Sequence, residues 1–310
     1  MNLISGRKRK GRLKPYIPLY LMMLPGLIYI VINNYLPMFG LIIAFKDYNY
    51  SEGIIGSDWV GFENFKYLFK TTDALTITRN TILYNISFIF LNLIIAVGVA
   101  ILLNEVKKRF LSRFYQSAIL LPYLISMVIV GYLVYAMLST ETGFLNNTIL
   151  PVLGLSDISW YSEPEYWPYI LTLVHVWKSA GYLCIVYLAA IIGIDPEYYE
   201  AAIIDGASKW RQIKSITIPL IMPVITVMTL LQIGRIFYSD FGLFYQVPLN
   251  TGALQSTTNV IDTYVYRALM TSGDIGMSSA AGLYQSFVGF VLVLLSNYIV
   301  RKINSDNALI

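Results

Sequence analysis

Apolar runs of about 20 residues recur along the chain, the length that crosses a bilayer as a helix. They predict spans at about 17–45, 79–104, 114–138, 168–194, 221–245 and 278–300. The expected fold class is therefore all-α, a polytopic membrane protein with six transmembrane helices. Residues 16–304 form the six-span unit, with 79–300 as its core. A basic tail at 1–15 precedes it and a short tail at 305–310 follows.

Polar residues inside the spans follow helical spacing. Span one holds Pro18, Pro25 and Pro37, each of which frees a backbone carbonyl that neighbouring groups must satisfy. Span two carries Asn85, Asn92, Ala96 and Ala100 on one face, a pattern for close helix packing. The outer half of span three carries Tyr132, Tyr135 and Ser139. Span four carries His175, Lys178 and Tyr182 at i, i+3, i+7. Lys178 is expected near mid-depth, where a bare ammonium is costly, so it should face a cavity or a carboxylate. Span five repeats the spacing with Arg235, Tyr238, Gly242 and Tyr245, and Asp240 lies off that face, free to reach Lys178 or His175. The two polar stripes make these residues candidates for lining a translocation path. The competing reading is a buried ion pair that fixes helix register. The last span presents Gly282, Ser286, Gly289 and Ser296 as a small-residue stripe.

Outside the spans, residues 47–78 are expected to hold a short amphipathic helix around Phe62–Phe69. Trp160, Tyr161, Tyr166 and Trp167 suit an aromatic belt, or contact with a sugar or its binding protein. Residues 246–277 are a candidate docking surface.

Composition agrees with this layout. The 310 residues are 56% hydrophobic and 13% charged, against about 25% charged in soluble domains. Most of the 22 Lys and Arg residues fall on the side of the termini, in the tail, at Lys107–Arg109 and Arg113, at Lys209–Lys214 and at Arg301–Lys302. That excess marks the cytoplasmic face, so both termini are expected to be cytoplasmic. The basic tail reads as a topology anchor in contact with membrane lipid, and no nucleic-acid partner is expected. The first apolar stretch is too long for a cleaved secretory signal and lacks a small-residue cleavage site. One Cys and one His leave no material for an intramolecular disulfide or a metal cluster. No Gly-x-x-x-x-Gly-Lys-Ser/Thr phosphate loop, Gly-x-Ser-x-Gly elbow or zinc-ligand spacing occurs, so no catalytic residue, bound cofactor or metal is expected in this chain.

One charge-bearing cytoplasmic segment stands apart, residues 195–219. Pro196 suits a first helical turn. Gly206 suits the left-handed cap that ends the helix, and Ser208 can cap a second one. Glu200-Ala201-Ala202, Asp205-Gly206-Ala207, Ile216 and Pro219 stand in the register of the EAA loop, which this segment resembles. That loop marks permease subunits of binding-protein-dependent ABC importers. Ile218 replaces the usual Leu, and Ile213 a common aromatic. The first-span run Asn33–Gly40, with Ala44–Tyr48 and Trp59–Phe65, resembles the branch that imports complex oligosaccharides.

The resemblance implies a type I, MetI-like permease fold. It implies a heterodimer with a second permease subunit, two ATP-binding subunits that hold ATP and Mg2+, and an extracytoplasmic substrate-binding protein. Glu200, Ala201, Ala202, Asp205, Gly206, Ala207, Ile216 and Pro219 would couple the chain to the ATPase, and a carbohydrate would pass through the cell membrane. A permease for a non-sugar solute keeps the same loop. A secondary transporter would show pseudo-repeats, and none is evident.

Overall fold

The structure is a computed structural model that describes residues 16–70 and 72–303. The tails expected at 1–15 and 305–310 lie outside the described residues.

Helix α1, Ile17–Phe45, matches the first expected span. It is not a regular α-helix throughout. A π-turn at Val31–Tyr35 leads into a 3-10 stretch at Leu36–Phe45. Pro37 cannot donate a backbone N–H to the preceding turn, and the Asn33 side chain donates to the Tyr29 carbonyl at 2.9 Å. Only 6% of the most apolar window of α1 is buried. Its apolar surface lies open, which in a membrane protein calls for lipid or another subunit.

A two-stranded antiparallel hairpin follows, β1 Lys46–Asp47 with β2 Asp58–Trp59. The Lys46 ammonium is buried inside it and donates to the carbonyls of Ile55 and Ser57, each at 2.9 Å. Helix α2, Glu63–Lys70, is the amphipathic helix expected in this segment. It rests against the last long helix.

The centre of the molecule is the pairing of α3, Thr72–Asn104, with α6, Trp167–Ile192. Ala96 and Ala100 are fully buried there. Asn92 accepts from the Ser179 hydroxyl at 2.9 Å, and Asn85 donates to Thr81 and Ile236, both at 2.9 Å. Asn92 thus ties α3 to α6, and Asn85 ties α3 to the turn that follows Ile233.

The third expected span differs from its prediction. Residues 114–138 divide between α4, Arg109–Leu124, and α5, Met127–Leu138, with a 95° bend between them. Pro122 weakens the last turn of α4, Ile125 is extended, and the Ser126 hydroxyl accepts from the Ile129 N–H to start α5. The long apolar run hid two helices set nearly at right angles. Among the described residues five helices are long and apolar enough to span a membrane, or six if the bent pair counts as one.

Helices α4 and α6 cross at Gly181. A Cβ there would stand 2.0 Å from the Ile119 carbonyl oxygen. Gly181→Val is therefore expected to push α4 off α6 and sharply reduce the yield of folded protein, measured by size-exclusion chromatography of detergent extracts. A normal monodisperse peak would contradict this close approach.

A short helix α7, Pro196–Ile204, precedes α8, Lys209–Ile233. The expected fifth span, 221–245, thus ends early. The chain turns at Gly234–Asp240 and restarts as α9, Phe241–Gln246. Helix α10, Ile261–Met270, and the long α11, Ile275–Ile303, complete the fold.

Trp160, Tyr161 and Trp167 do not form a lipid-facing belt. Trp167 is fully buried and donates to the Trp160 carbonyl at 2.7 Å, and Trp160 donates to Asn146 at 2.8 Å. Tyr161 donates to the Val247 carbonyl at 3.3 Å, and burial and the neighbouring Tyr135 push its hydroxyl pKa up. The segment 246–277, expected as a surface, instead buries Val247, Leu254, Val260 and Ile261.

Candidate coupling loop and translocation path

The segment after α6 folds as helix, turn, helix. The Asp195 side chain accepts from the Glu197 N–H at 3.0 Å, and Pro196 occupies the first turn of α7. Ala201, Ala202 and Ile203 carbonyls accept the last returning N–H groups, from Asp205, Ala207 and Gly206 at 3.0, 2.8 and 3.0 Å. Gly206 sits at φ +73°, the left-handed cap a glycine allows. The Ser208 hydroxyl then accepts from the Arg211 N–H at 3.4 Å.

Two contacts hold this knob to α8. Gln212 donates to the Ala207 carbonyl at 3.0 Å, and the Tyr199 and Thr217 hydroxyls meet at 2.9 Å. Lys209 pairs with Glu105, at the end of α3, at 3.1 Å. The knob is thus fixed to the base of α8, and α8 in turn to the end of α3. Ala202, Asp205, Ala207 and Ile216 line a cavity of about 260 Å³ between its two helices. Glu200, Ala201 and Pro219 are exposed. Outward from the same knob point Tyr198, Ile203, Ile204 and Trp210, with Ile204 86% exposed. These apolar side chains, which sequence reasoning did not single out, form a patch suited to protein contact.

The intramembrane polar residues fall into three groups. Lys178 does not meet Asp240. Its ammonium donates to the carbonyls of Pro122, Tyr123 and Ile125, at 3.3 and 3.1 Å for the first two. These are the acceptors exposed where α4 ends, so Lys178 caps the 95° break. Beside it Tyr182 stacks on Tyr123, with ring centroids 5.0 Å apart.

His175 faces the core. Its ring stacks on Phe88, centroids 3.7 Å apart and planes 7° from parallel. On α5, Tyr132 is exposed, while Tyr135 packs edge-on against Tyr161 at 5.6 Å.

The residues expected along span five are not one helical stripe, because the helix stops at Ile233. Arg235, Tyr238 and Asp240 belong to the turn that follows, and Tyr245 belongs to α9. Tyr238 meets the Ser286 hydroxyl on α11 at 2.9 Å. Asp240 caps α9 by accepting from the Leu243 N–H at 3.1 Å. Tyr245 packs on Phe241 and Tyr266, with centroids 5.0 and 5.1 Å away.

A network invisible in the local sequence holds this turn. Asp262 on α10 accepts from the Ser239 N–H at 2.7 Å and from Gln285 on α11 at 3.1 Å. Gln285 also donates to the Phe237 carbonyl at 2.5 Å. Burial raises the Asp262 carboxyl pKa, and the bonds from Ser239 and Gln285 oppose that rise. Two of the inner helices are thus interrupted, each with its break braced by a side chain from another helix. Interrupted helices inside a membrane are tolerated where they are packed in protein or line a watery cavity.

Residues 92–305 match the family of binding-protein-dependent transport system inner membrane components. The chain belongs to that family. This permease is 37% identical to protein LplB of Bacillus subtilis (strain 168), over 93% of its own length and 90% of the relative's. It is 35% identical to YteP of the same organism, a polygalacturonan/rhamnogalacturonan transport system permease protein, over 93% and 89%. A solved bacterial ABC transporter that imports the acidic polysaccharide alginate contains a chain of the same fold. That likeness has a TM-score of 0.86 at 34% identity and covers 94% of the permease and 98% of the solved chain. The expected MetI-like membrane fold is therefore present, and the chain is a multi-pass permease of the ABC type.

Proposed function

We propose that this permease forms part of the path by which an ATP-driven importer carries an oligosaccharide into the cell. A second permease subunit completes the path. An extracytoplasmic binding protein delivers the cargo, and two separate ATP-binding subunits hold ATP and Mg2+. Both termini and the Pro196–Pro219 loop face the cytoplasm. The observation that carries this reading is the knob at α7, an exposed apolar patch on a glycine-capped helix held to α8, whose first residue Lys209 pairs with Glu105 at the end of α3. A stroke applied there moves α8, which leads to the braced break after Ile233. The relatives' sugar cargoes support a carbohydrate over other solutes.

The chain lacks a phosphate loop, so its part is mechanical: it binds, guides and is moved. Aromatic faces such as Tyr123, Tyr182 and Tyr238 offer stacking and hydroxyl contacts for sugar rings. Co-expression with its neighbouring subunits, followed by reconstitution into liposomes, tests the proposal. Oligosaccharide uptake that needs ATP and the binding protein is expected. Uptake of an amino acid or phosphate instead, with no sugar uptake, would contradict it.

A further inference from the structure

We infer that the groove between α3 and α6 seats an acyl chain of an anionic phospholipid, whose phosphate is held by Arg79 at the groove's rim.

Two cavities make up the groove. One, of about 270 Å³, is lined by Arg79, Asn80, Tyr84 and Thr257. The other, of about 440 Å³, is lined by Leu91, Ile95, Leu173 and Val176. Ser87, Pro168 and Thr172 line both, so the two join. The groove is thus polar at one end and apolar along the rest.

Its depth matches one leaflet. Arg79 is separated from Glu105, the exposed partner of Lys209 beside the α7 knob, by about 39 Å of α3 at 1.5 Å per residue. That exceeds the hydrocarbon thickness of about 30 Å. With Glu105 outside the hydrocarbon on one side, Arg79 reaches the headgroups on the other. From Arg79 down to Ile95 is about 24 Å, close to half of a bilayer about 40–45 Å thick. The groove also turns away from the two helix breaks. Each residue advances about 100° around a helix, so Ser87 stands about 200° from Asn85, and Val176 about 200° from Lys178. Asn85 and Lys178 are the side chains that reach the two breaks.

Exposed Leu83, Ile95, Tyr169 and Leu173 edge the groove. Apolar surface of this kind calls for lipid or another subunit, and the charge at the rim selects lipid. Every other polar side chain around Arg79 is engaged inside the protein. Asn80 donates to the Ser256 and Asn259 carbonyls at 3.2 and 3.0 Å, Tyr84 to the Thr257 carbonyl at 3.0 Å, and Thr172 to the Pro168 carbonyl at 2.6 Å. Arg79 is exposed, and among the described residues its guanidinium meets only the Asn80 side-chain oxygen, at 3.4 and 3.2 Å. Asp73, Glu163 and Glu165, the acids nearest the rim along the chain, form no ion pair with it. The pairs present are Glu63 with Lys66 and Glu105 with Lys209. The remaining donors of the planar guanidinium suit a phosphate, which accepts two parallel hydrogen bonds from such a fork.

The test uses the complete complex in phosphatidylcholine nanodiscs. These are doped with either phosphatidylglycerol or phosphatidylcholine that carries a photoreactive diazirine in its acyl chain. After illumination, adducts are mapped by mass spectrometry. Around Leu91 and Leu173 the wild type is expected to take about fivefold more label from phosphatidylglycerol, the scale of one basic side chain against an anionic headgroup. Arg79→Gln should bring that excess down to the phosphatidylcholine level, and Arg79→Lys should keep part of it. Equal labelling of the wild type by both lipids overturns the inference and marks an unselective shell of lipid. An excess that survives in Arg79→Gln overturns it too. So does a groove that neither lipid labels, which would mean that a helix of another subunit covers it. If Arg79→Gln does not assemble, the wild-type ratio and Arg79→Lys decide. None of these readouts involves cargo, so failure here leaves the carbohydrate reading untouched.

Discussion

Gly206→Pro should assemble into the complex and yet fail to couple ATP hydrolysis to transport. Gly206 stands at φ +73°, whereas proline fixes φ near −65°. The substitution also removes the N–H that reaches the Ile203 carbonyl at 3.0 Å. The C-terminus of α7 must then unwind, and the patch at Ile203 and Ile204 turns away from its present direction. The knob lies outside the buried clusters that hold α3 to α6, so the membrane core is expected to survive. Cargo-stimulated ATPase activity and uptake should both fall by about tenfold or more, the scale of a typical coupling free energy between sites. Gly206→Ala should do less, because alanine enters the left-handed region at a cost of about 1–2 kcal/mol. Glu200→Lys reverses the charge of an exposed residue on the same short helix and should uncouple without loss of expression. Activity of all three variants equal to wild type would detach the knob from the mechanism.

The second large effect is expected from Lys178→Met. The methionine keeps much of the stem but leaves the carbonyls of Pro122, Tyr123 and Ile125 without their donor. Hydrogen bonds to a charged group contribute about 1.5–3 kcal/mol, and partial exposure at this site points to the low end, about 2 kcal/mol in all. At about 2–4 °C per kcal/mol for a chain of this size, the melting temperature of the purified complex should fall by about 4–8 °C. Uptake should fall further, since the break between α4 and α5 loses its brace. Lys178→Arg should retain most of the stability. An unchanged melting temperature for Lys178→Met would show that the carbonyls find water and that the cap is dispensable.

These two sites differ in how far local sequence discloses them. The knob is written in residues close along the chain: Asp195 and Pro196 start a helix, Gly206 stops it, and Ser208 starts the next. Each device acts within a few residues, so its geometry follows from composition and spacing. Four of the six spans were likewise legible, because length and hydropathy suffice for a continuous helix. The other two were not. Residues 114–138 and 221–245 read as unbroken apolar runs, yet each is interrupted. What opens them lies far away in sequence. Lys178 supplies the cap for the break after Leu124, and Asp262 with Gln285 holds the turn after Ile233. Helical spacing placed Arg235, Tyr238 and Tyr245 on one stripe only on the premise of an intact helix. Lys178 was correctly flagged as a cation in need of partners, but backbone carbonyls, not Asp240, provide them. A carbonyl freed by a distant break leaves no trace in residue type.

The account depends on physical contact between the α7 knob and a separate ATP-binding subunit. Site-directed crosslinking measures this directly. Ile204→Cys, in a Cys184→Ser background that removes the buried native thiol, is assembled with its partner subunits and treated with a short bifunctional thiol reagent. A scan of single cysteines across the ATP-binding subunit should give a crosslinked pair whose yield changes when ATP is bound. An intact, transporting complex in which no cysteine of the ATP-binding subunit ever joins residue 204 or its neighbours Ile203 and Tyr198 would contradict the account.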